Sequence, residues 1–229
     1  MEISDVRLNR GSLLMVPLML AAVPAMKAQS SFDLNIGFGT ARAGSNGGGI
    51  DNFNSLNTLG PCIPNSADPF CEKNPALNGF FLGLGGDVMM NRRFGVGAEV
   101  SFQPAKGDYG PLQYRQTFYD FNGIFAPISQ KRVQVQIQGG LGGARTGFSL
   151  TQNQCVGTAL TCSTLSQPVG NSSHFQLHVG VGVQVFVTQL LFVRPQIDLH
   201  YVPNFTDQFG RNSVPAATLW VGYSFGDRS

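Results

Sequence analysis

Charged side chains are scarce in this chain. Asp, Glu, Lys and Arg make up 12% of its 229 residues, about half of the roughly 25% that is usual in soluble domains. The formal net charge is only +2, so the composition gives no electrostatic basis for a nucleic-acid partner. So few charges also indicate that much of the protein surface does not face water.

Long apolar runs are missing after the first 28 residues. No uninterrupted apolar stretch there approaches the roughly 20 residues that a transmembrane helix needs. The one earlier run, Leu13 to Met26, has 14 residues, follows a basic start and is interrupted by Pro17 and Pro24. This pattern predicts a signal peptide over 1–28 and a mature domain over 29–229, with an uncleaved anchor as the alternative.

Familiar catalytic and nucleotide-binding signatures are also missing. The chain contains no GxGxxG, GxxxxGK or HExxH stretch, which are the signatures of dinucleotide, nucleotide and zinc-protease sites. We therefore predict that the protein is not an enzyme and that it carries neither a cofactor nor a metal.

Cysteine is rare, and the four cysteines form two close pairs. Cys62 and Cys71 are one pair, and Cys155 and Cys162 are the other. Because an exported chain meets oxidising conditions, we predict one disulfide within each pair. A zinc site is the alternative, although neither pair has CxxC spacing or a nearby histidine.

What the sequence does contain is a repeated two-residue alternation. In "VQVQIQGGLGG", which begins at Val133, Val and Ile occupy one parity while Gln and Gly occupy the other. Such a period predicts a strand with one apolar and one polar face. The same pattern occurs in eight segments: 32–39, 80–88, 94–103, 114–128, 133–143, 174–185, 193–201 and 218–225.

The connections between these segments alternate in length. Short turns are predicted around 91–93, 129–132 and 188–190, and longer polar loops at 43–78, 107–113, 151–173 and 203–214. Short connections at one end and long ones at the other are typical of an up-and-down meander in a membrane.

The polar faces indicate which side of the sheet faces outward. A soluble, lipocalin-like barrel is the alternative, but a surface in water has no reason to prefer Gly. The interior of a closed eight-stranded barrel is narrow and favours small residues, and the apolar faces carry aromatics toward their ends, as lipid-facing strands do. A sheet in lipid must also close on itself. We predict an all-β fold, an eight-stranded antiparallel up-and-down transmembrane β-barrel.

From Phe32 to Phe225 the chain resembles the small bacterial outer-membrane β-barrel proteins of the OmpA transmembrane-domain type. The resemblance rests on strand count, loop asymmetry and the closing "LWVGYSFG", which is similar to the final strand read by the outer-membrane assembly machinery. It implies a bacterial outer-membrane location, with contacts to outer-membrane lipid, lipopolysaccharide and that machinery. It also implies a structural or surface-interaction role, with a polar filled lumen, outward loops and an unknown surface ligand.

Two other functions remain open for a chain of this kind. One is a narrow pore, since eight strands leave an interior just filled by side chains. The other is a lipid A-modifying enzyme. Relatives resembling lipid A deacylases place a His–Ser pair on the lipid-facing side, whereas all three histidines here have lumen parity.

Several ionisable residues fall on the polar faces and are predicted to form a lumen network. Charges in a narrow barrel must be paired or hydrogen-bonded, since their desolvation is otherwise unfavourable. These residues are Asp33, Asp87, Glu99, Asp120, His178, Arg194, Asp198 and His200.

Four cations are predicted on the outward face where the strands meet the long loops. They are Arg42, Lys106, Arg115 and Arg145. At headgroup level they can meet lipopolysaccharide phosphates, and simple snorkelling of long side chains is the alternative.

The turn at 188–190 predicts a register. If Val187 faces Leu191, then His178 faces His200 inside the barrel and Gly180 faces Asp198. Directly opposed side chains have Cβ atoms about 4.5–5.5 Å apart, close enough for the two imidazoles to interact or to share a metal. A neutral, hydrogen-bonded pair is the expected arrangement, because a metal site needs more ligands and only Asp198 is an obvious neighbour.

Overall fold

Strands with alternating polar and apolar side chains make up most of the protein. The structure is a computed structural model that describes residues 31–51, 61–64, 70–156 and 161–226, with the backbone alone at 151–156 and 161–165. The predicted signal peptide, residues 1–28, lies outside these residues. None of the described residues forms a helix long and apolar enough to cross a membrane.

Within the described residues the chain forms twelve strands and one short 3-10 helix, Phe205–Asp207. The strands are β1 (Ser31–Ala41), β2 (Gly49–Asp51), β3 (Pro61–Cys62), β4 (Cys71–Lys73), β5 (Phe80–Met89), β6 (Phe94–Phe102), β7 (Gly107–Tyr109), β8 (Leu112–Ser129), β9 (Val133–Val156), β10 (Thr161–Phe186), β11 (Leu191–Tyr201) and β12 (Ser213–Phe225).

Eight of these strands close into a ring. In spatial order the ring is β1, β5, β6, β8, β9, β10, β11 and β12, and β12 pairs back with β1. Every pairing in the ring is antiparallel. The predicted eight-stranded up-and-down barrel is therefore confirmed. The three short turns lie at one end, called here the short-turn end, and the long connections lie at the long-loop end.

The apolar side chains face outward. In β10, Val179 and Val181 are 57% and 49% exposed, whereas Gln176 and His178 of the same strand are buried. Exposed aromatic pairs lie near both ends of this apolar band: Phe32 with Phe225 at the short-turn end and Phe38 with Phe80 at the long-loop end. An outward apolar band between aromatic girdles is the surface that a barrel presents to lipid.

Glycine on the polar face allows strands and side chains to approach closely. A Cβ at Gly142 would meet the Tyr119 carbonyl oxygen, and one at Gly140 would meet the Phe121 carbonyl oxygen. At Gly83 a Cβ would come within 2.5 Å of the Trp220 ring. The predicted reason for glycine on this face, a narrow interior, accounts for these contacts.

The hairpin of β9 and β10 departs from the predicted organisation. A loop was expected over 151–173, but β9 continues to Val156 and β10 begins at Thr161. In the described ladders β8 pairs with β9 no further than Ser149, and β11 meets β10 from Leu177 onward. The prediction was wrong because alternation is required only where a strand separates lipid from the lumen, and the sequence of this extension is polar without alternation.

The connection between β1 and β5 is tied by a disulfide. Cys62 and Cys71 are bonded, with their Cα atoms 5.8 Å apart, and they belong to a small sheet in which β2 pairs with β3 and β4. The backbones of Cys155 and Cys162 face each other across β9 and β10. Their side chains lie outside the described part, so that second disulfide stays a prediction.

Candidate functional site

The barrel lumen holds the ionisable side chains that the sequence singled out. The structure places all eight inside the ring, and each is at most 8% exposed. They fall into two groups: one surrounds Arg194 near the middle of the barrel, and the other surrounds the two buried histidines toward the long-loop end.

Arg194 on β11 is the centre of the first group. Its Nη1 donates to Asp87 Oδ2 at 2.6 Å and to Gln136 Oε1 at 2.8 Å, and its Nη2 donates to Glu99 Oε1 at 2.8 Å. The guanidinium carbon also lies 5.6 Å from the centre of the Trp220 ring. A planar cation with several donors suits this position, because one side chain then contacts two carboxylates and an amide.

The two histidines form the second group, and their predicted register is confirmed. His178 faces His200, and Gly180 faces Asp198. The predicted turn pairing is also present, since Val187 N–H donates to Leu191 O at 2.9 Å. The imidazole centres are 4.9 Å apart with an interplanar angle of 20°.

Other side chains fix this second group. His178 Nε2 lies 3.0 Å from Asp198 Oδ1, and its Nδ1 lies 2.8 Å from Asn122 Oδ1. The outer face of the His200 ring stacks on Phe118, with centres 4.8 Å apart and 13° between the planes. Asp120 accepts a 2.5 Å hydrogen bond from Gln176 Nε2.

Sequence reasoning missed the amides that connect these groups. Gln184 Nε2 donates to Asp33 Oδ2 at 3.0 Å, and Gln136 Nε2 donates to Gln184 Oε1 at 2.6 Å. Gln196 Nε2 lies within 3.2 Å of Glu99 Oε2 and within 2.8 Å of Asp198 Oδ1. Their polar parity was the available signal, since each occupies the lumen side of a predicted strand.

Buried apolar side chains lie at both ends of the lumen. At the short-turn end the buried side chains are Met89, Ile124, Ala126, Phe186 and Phe192, called here the inner apolar residues. At the long-loop end a larger group, called here the outer apolar cluster, comprises Ala41, Ala43, Leu77, Phe81, Tyr109, Leu112, Tyr114, Phe118, Ala144, Val202, Phe205, Phe209 and Val214.

The long connections are joined across this outer cluster. The Tyr109 hydroxyl, above the membrane-spanning strands, donates to Gln208 O at 2.7 Å. Asn46 Nδ2 donates to Asp207 O at 3.1 Å, so the β1–β5 and β11–β12 connections are also in contact. Burial raises the pKa of the Tyr109 hydroxyl to about 12, with a smaller contribution from Tyr114.

The four predicted rim cations are exposed, but they do not form one group. Arg115 and Arg145 lie on neighbouring strands, opposite Gly147 and Thr117 respectively. Lys106 Nζ turns to the β9–β10 hairpin and bonds two serine hydroxyls, at 2.8 and 2.5 Å. Arg42 follows β1, three strands away from β8.

Two serines lie in settings that partly match catalytic serine motifs. Residues Gly222 to Gly226 match the GxSxG motif, which was not identified from the sequence. Ser224, however, is buried inside β12 and does not lie on the strand-to-helix turn that this motif requires. At the long-loop end Ser172 Oγ lies 2.8 Å from His174 Nε2, and Gln208 Nε2 lies 3.2 Å from the same nitrogen. Among the described residues no carboxylate bonds His174.

Comparison with known proteins assigns the chain to a family. The sequence pattern of the family described as outer membrane protein beta-barrel domain matches residues 13–227. The chain belongs to this family. Its location is the bacterial outer membrane, and the predicted resemblance to small outer-membrane barrels is confirmed. No curated protein sequence matches the chain.

Among solved structures, similar folds include Neisserial surface protein A, with 15% identity and a TM-score of 0.49, covering 86% of this chain and 99% of that one. OprG from Pseudomonas aeruginosa has 15% identity and a TM-score of 0.48, with 87% and 98% covered. Ail of Yersinia pestis, solved with the heparin analogue sucrose octasulfate, has 12% identity and a TM-score of 0.48, with 86% and 99% covered.

Proposed function

We propose that this chain is a surface-interaction protein of the outer membrane, in which a closed barrel anchors loops that face outside. The observation that carries the proposal is the burial of apolar side chains at both ends of the lumen, which we infer closes it. A cavity of about 20 Å³ lies against the outer apolar cluster and has room for about one water molecule. This supports an anchoring role over a narrow pore.

The β9–β10 hairpin supports contacts beyond the membrane. Where it extends past its neighbours, each strand leaves one edge of backbone N–H and C=O groups outside the described ladders. Such edges are available to an extended partner segment. Pro168 and the bulge between Pro168 and Gly170 interrupt the β10 edge, which limits uncontrolled pairing with other sheets.

The disulfide-tied connection offers a second contact region. Ile63 and Phe70 each adjoin a disulfide cysteine, and they are 77% and 46% exposed. Apolar side chains on a cross-linked loop lose little conformational freedom on binding, which favours affinity. We infer that these two residues and the hairpin provide the contact surface.

Whole-cell adhesion tests this function. Cells that display the wild-type protein should bind at least one member of a panel of immobilised matrix proteins and glycans more than cells without it. Replacing 150–167 by Asn-Gly, or Ile63 and Phe70 by Ser, should lower that binding. Replacing Val187 and Leu190 by Ser at the opposite end is the matched control. Equal adhesion by all cells would contradict the proposal.

We also propose that the rim cations bind lipopolysaccharide phosphate, with Arg115 and Arg145 contributing most because they lie on adjacent strands. Changing Arg42, Lys106, Arg115 and Arg145 to Gln should lower the lipopolysaccharide that co-purifies with the barrel. The control changes four exposed cations of the short-turn end, Arg92, Arg93, Lys131 and Arg132, to Gln. Equal lipopolysaccharide in both variants would contradict the binding role.

A further inference from the structure

The lumen contains more acids than the cations around them can balance. Among the described buried residues, five carboxyl groups accompany one guanidinium and two imidazoles: Asp33, Asp87, Glu99, Asp120 and Asp198 against Arg194, His178 and His200. Even if both imidazoles carry protons, two negative charges remain. Buried negative charge that no cation balances is unfavourable even where amides donate hydrogen bonds to it, so the excess favours either protons on carboxyl groups or a bound cation.

The small lumen cavity lies among these acids. Its lining includes Glu99, Asp120 and Asp198, together with the His200 ring. A volume of about 20 Å³ accommodates one water molecule, and therefore also a single ion. Three carboxylates and an imidazole around one small cavity are the donor types that divalent cations take.

His200 lines this cavity and has one ring nitrogen without a hydrogen bond to the described part of the chain. Its side chain is buried, and among the described residues its Nδ1 has no hydrogen-bond partner. That nitrogen lies 3.7 Å from Asp120 Oδ2. Two ligands have about this separation when each lies roughly 2.0–2.2 Å from a shared ion and the angle at the ion is about 120°.

His178 completes a ligand set of three residues. One ligand atom from each of Asp120, His178 and His200 lies within 4.8 Å of the others. His178 Nε2 already bonds the Asp198 carboxylate at 3.0 Å, and its Nδ1 points toward β8, the strand that carries Asp120. A carboxylate on one imidazole nitrogen and a metal on the other is the usual arrangement of a metal-binding histidine.

We propose that, contrary to the expectation from the sequence, the lumen binds one divalent first-row transition-metal ion through Asp120, His178 and His200, with Asp198 orienting His178. On binding, His178 exchanges its Asn122 hydrogen bond for the ion and turns out of the 20° stack with His200, so that both imidazoles point at one centre. The mixed imidazole and carboxylate donors suit zinc and its neighbours better than calcium or magnesium. This site is independent of the proposed surface contacts.

The position of the site determines when the metal ion can enter it. The outer apolar cluster covers its long-loop side, and Phe118 of that cluster stacks directly on His200. Entry therefore accompanies folding, as in other sites that form only in the folded chain.

The experiment refolds the full chain, carrying a tag without histidine, in lipid vesicles with Zn²⁺ and then dialyses it against a chelator. Mass spectrometry of the metal should find about one Zn²⁺ per folded wild-type chain. His200→Phe keeps a ring for the Phe118 stack, and Asp120→Asn keeps the acceptor for Gln176; both should retain less than about a tenth of that metal. The control, His174→Phe, removes a histidine outside the site and should retain it.

Folding is checked for every sample by the mobility difference between unboiled and boiled protein on a gel. A folded wild-type barrel without retained Zn²⁺ overturns the proposal, as does equal retention in His200→Phe and Asp120→Asn. If these variants do not fold, X-ray absorption of the loaded wild type decides. Imidazole and carboxylate ligands support the site, whereas a shell of oxygen atoms alone overturns it.

Discussion

Arg194 is the residue on which the lumen contacts converge. It is fully buried and donates to Asp87, Glu99 and Gln136. Removing it would leave two buried carboxylates without their cation, and breaking a buried pair in this way is more harmful than replacing both partners.

We therefore expect Arg194→Met to lower the free energy of unfolding by about 3–5 kcal/mol. Urea titration of the barrel in lipid vesicles measures this change. The control is Arg211→Met in the exposed β11–β12 connection, which should change it by less than about 0.5 kcal/mol. Similar urea midpoints for the two variants would show that the network does not depend on Arg194.

Glycines within one strand should differ sharply in their tolerance of a methyl group. A Cβ at Gly142, on the lumen side of β9, would meet backbone atoms of β8. A Cβ at Gly139 of the same strand would meet nothing within 4 Å. We expect Gly142→Ala to destabilise the barrel by about 1–3 kcal/mol through overpacking, and Gly139→Ala to leave it almost unchanged. Equal urea midpoints would contradict this account of the lumen glycines.

The sequence predicted which residues face the lumen better than it predicted their partners. Parity along a strand assigns Asp33 and Gln184 to the same side, but their contact joins β1 to β10 and exists only after the ring closes. The His178–His200 contact was predictable, because a three-residue turn and alternation together fix the register of two neighbouring strands.

Among the elements, the β9–β10 hairpin is the one whose length alternation in the sequence did not predict. Alternation identifies a strand only where one face lies against lipid and the other lines the lumen. Past Ser149 and before Leu177 the hairpin leaves its neighbours, and its Ser, Thr, Asn and Gln residues resemble a loop. The pairing of β9 with β10 continues there from the register that the two strands have inside the membrane, with one shift at the bulge between Pro168 and Gly170.

If the hairpin is an extension, the barrel should fold without its outer part. Ser149 faces Pro168 across the hairpin, so replacing 150–167 by Asn-Gly should join these two residues through a tight two-residue turn. We expect the variant to keep the gel mobility shift on boiling, with an unfolding free energy within about 1 kcal/mol of the wild type. Loss of the folded band would mean that the hairpin is required for barrel formation.

For the whole molecule, the arrangement is a polar core between two apolar ends, surrounded by lipid. Arg194 lies near the middle and the two buried histidines lie toward the long-loop end. The inner apolar residues lie at the short-turn end, and the outer apolar cluster joins the long connections. The barrel could be predicted from alternation and loop lengths. Closure of its ends could not, because Phe205 and Phe209 come from a connection without a strand pattern.

Single-channel recording in planar lipid bilayers tests the closed barrel most directly. The full chain, shown to be folded by its gel mobility, is added at increasing protein concentration under symmetric salt. We predict no stable unitary current in the wild type, because apolar side chains fill both ends of the lumen. Reproducible current steps of one size, with a frequency that rises with protein concentration, would contradict the account.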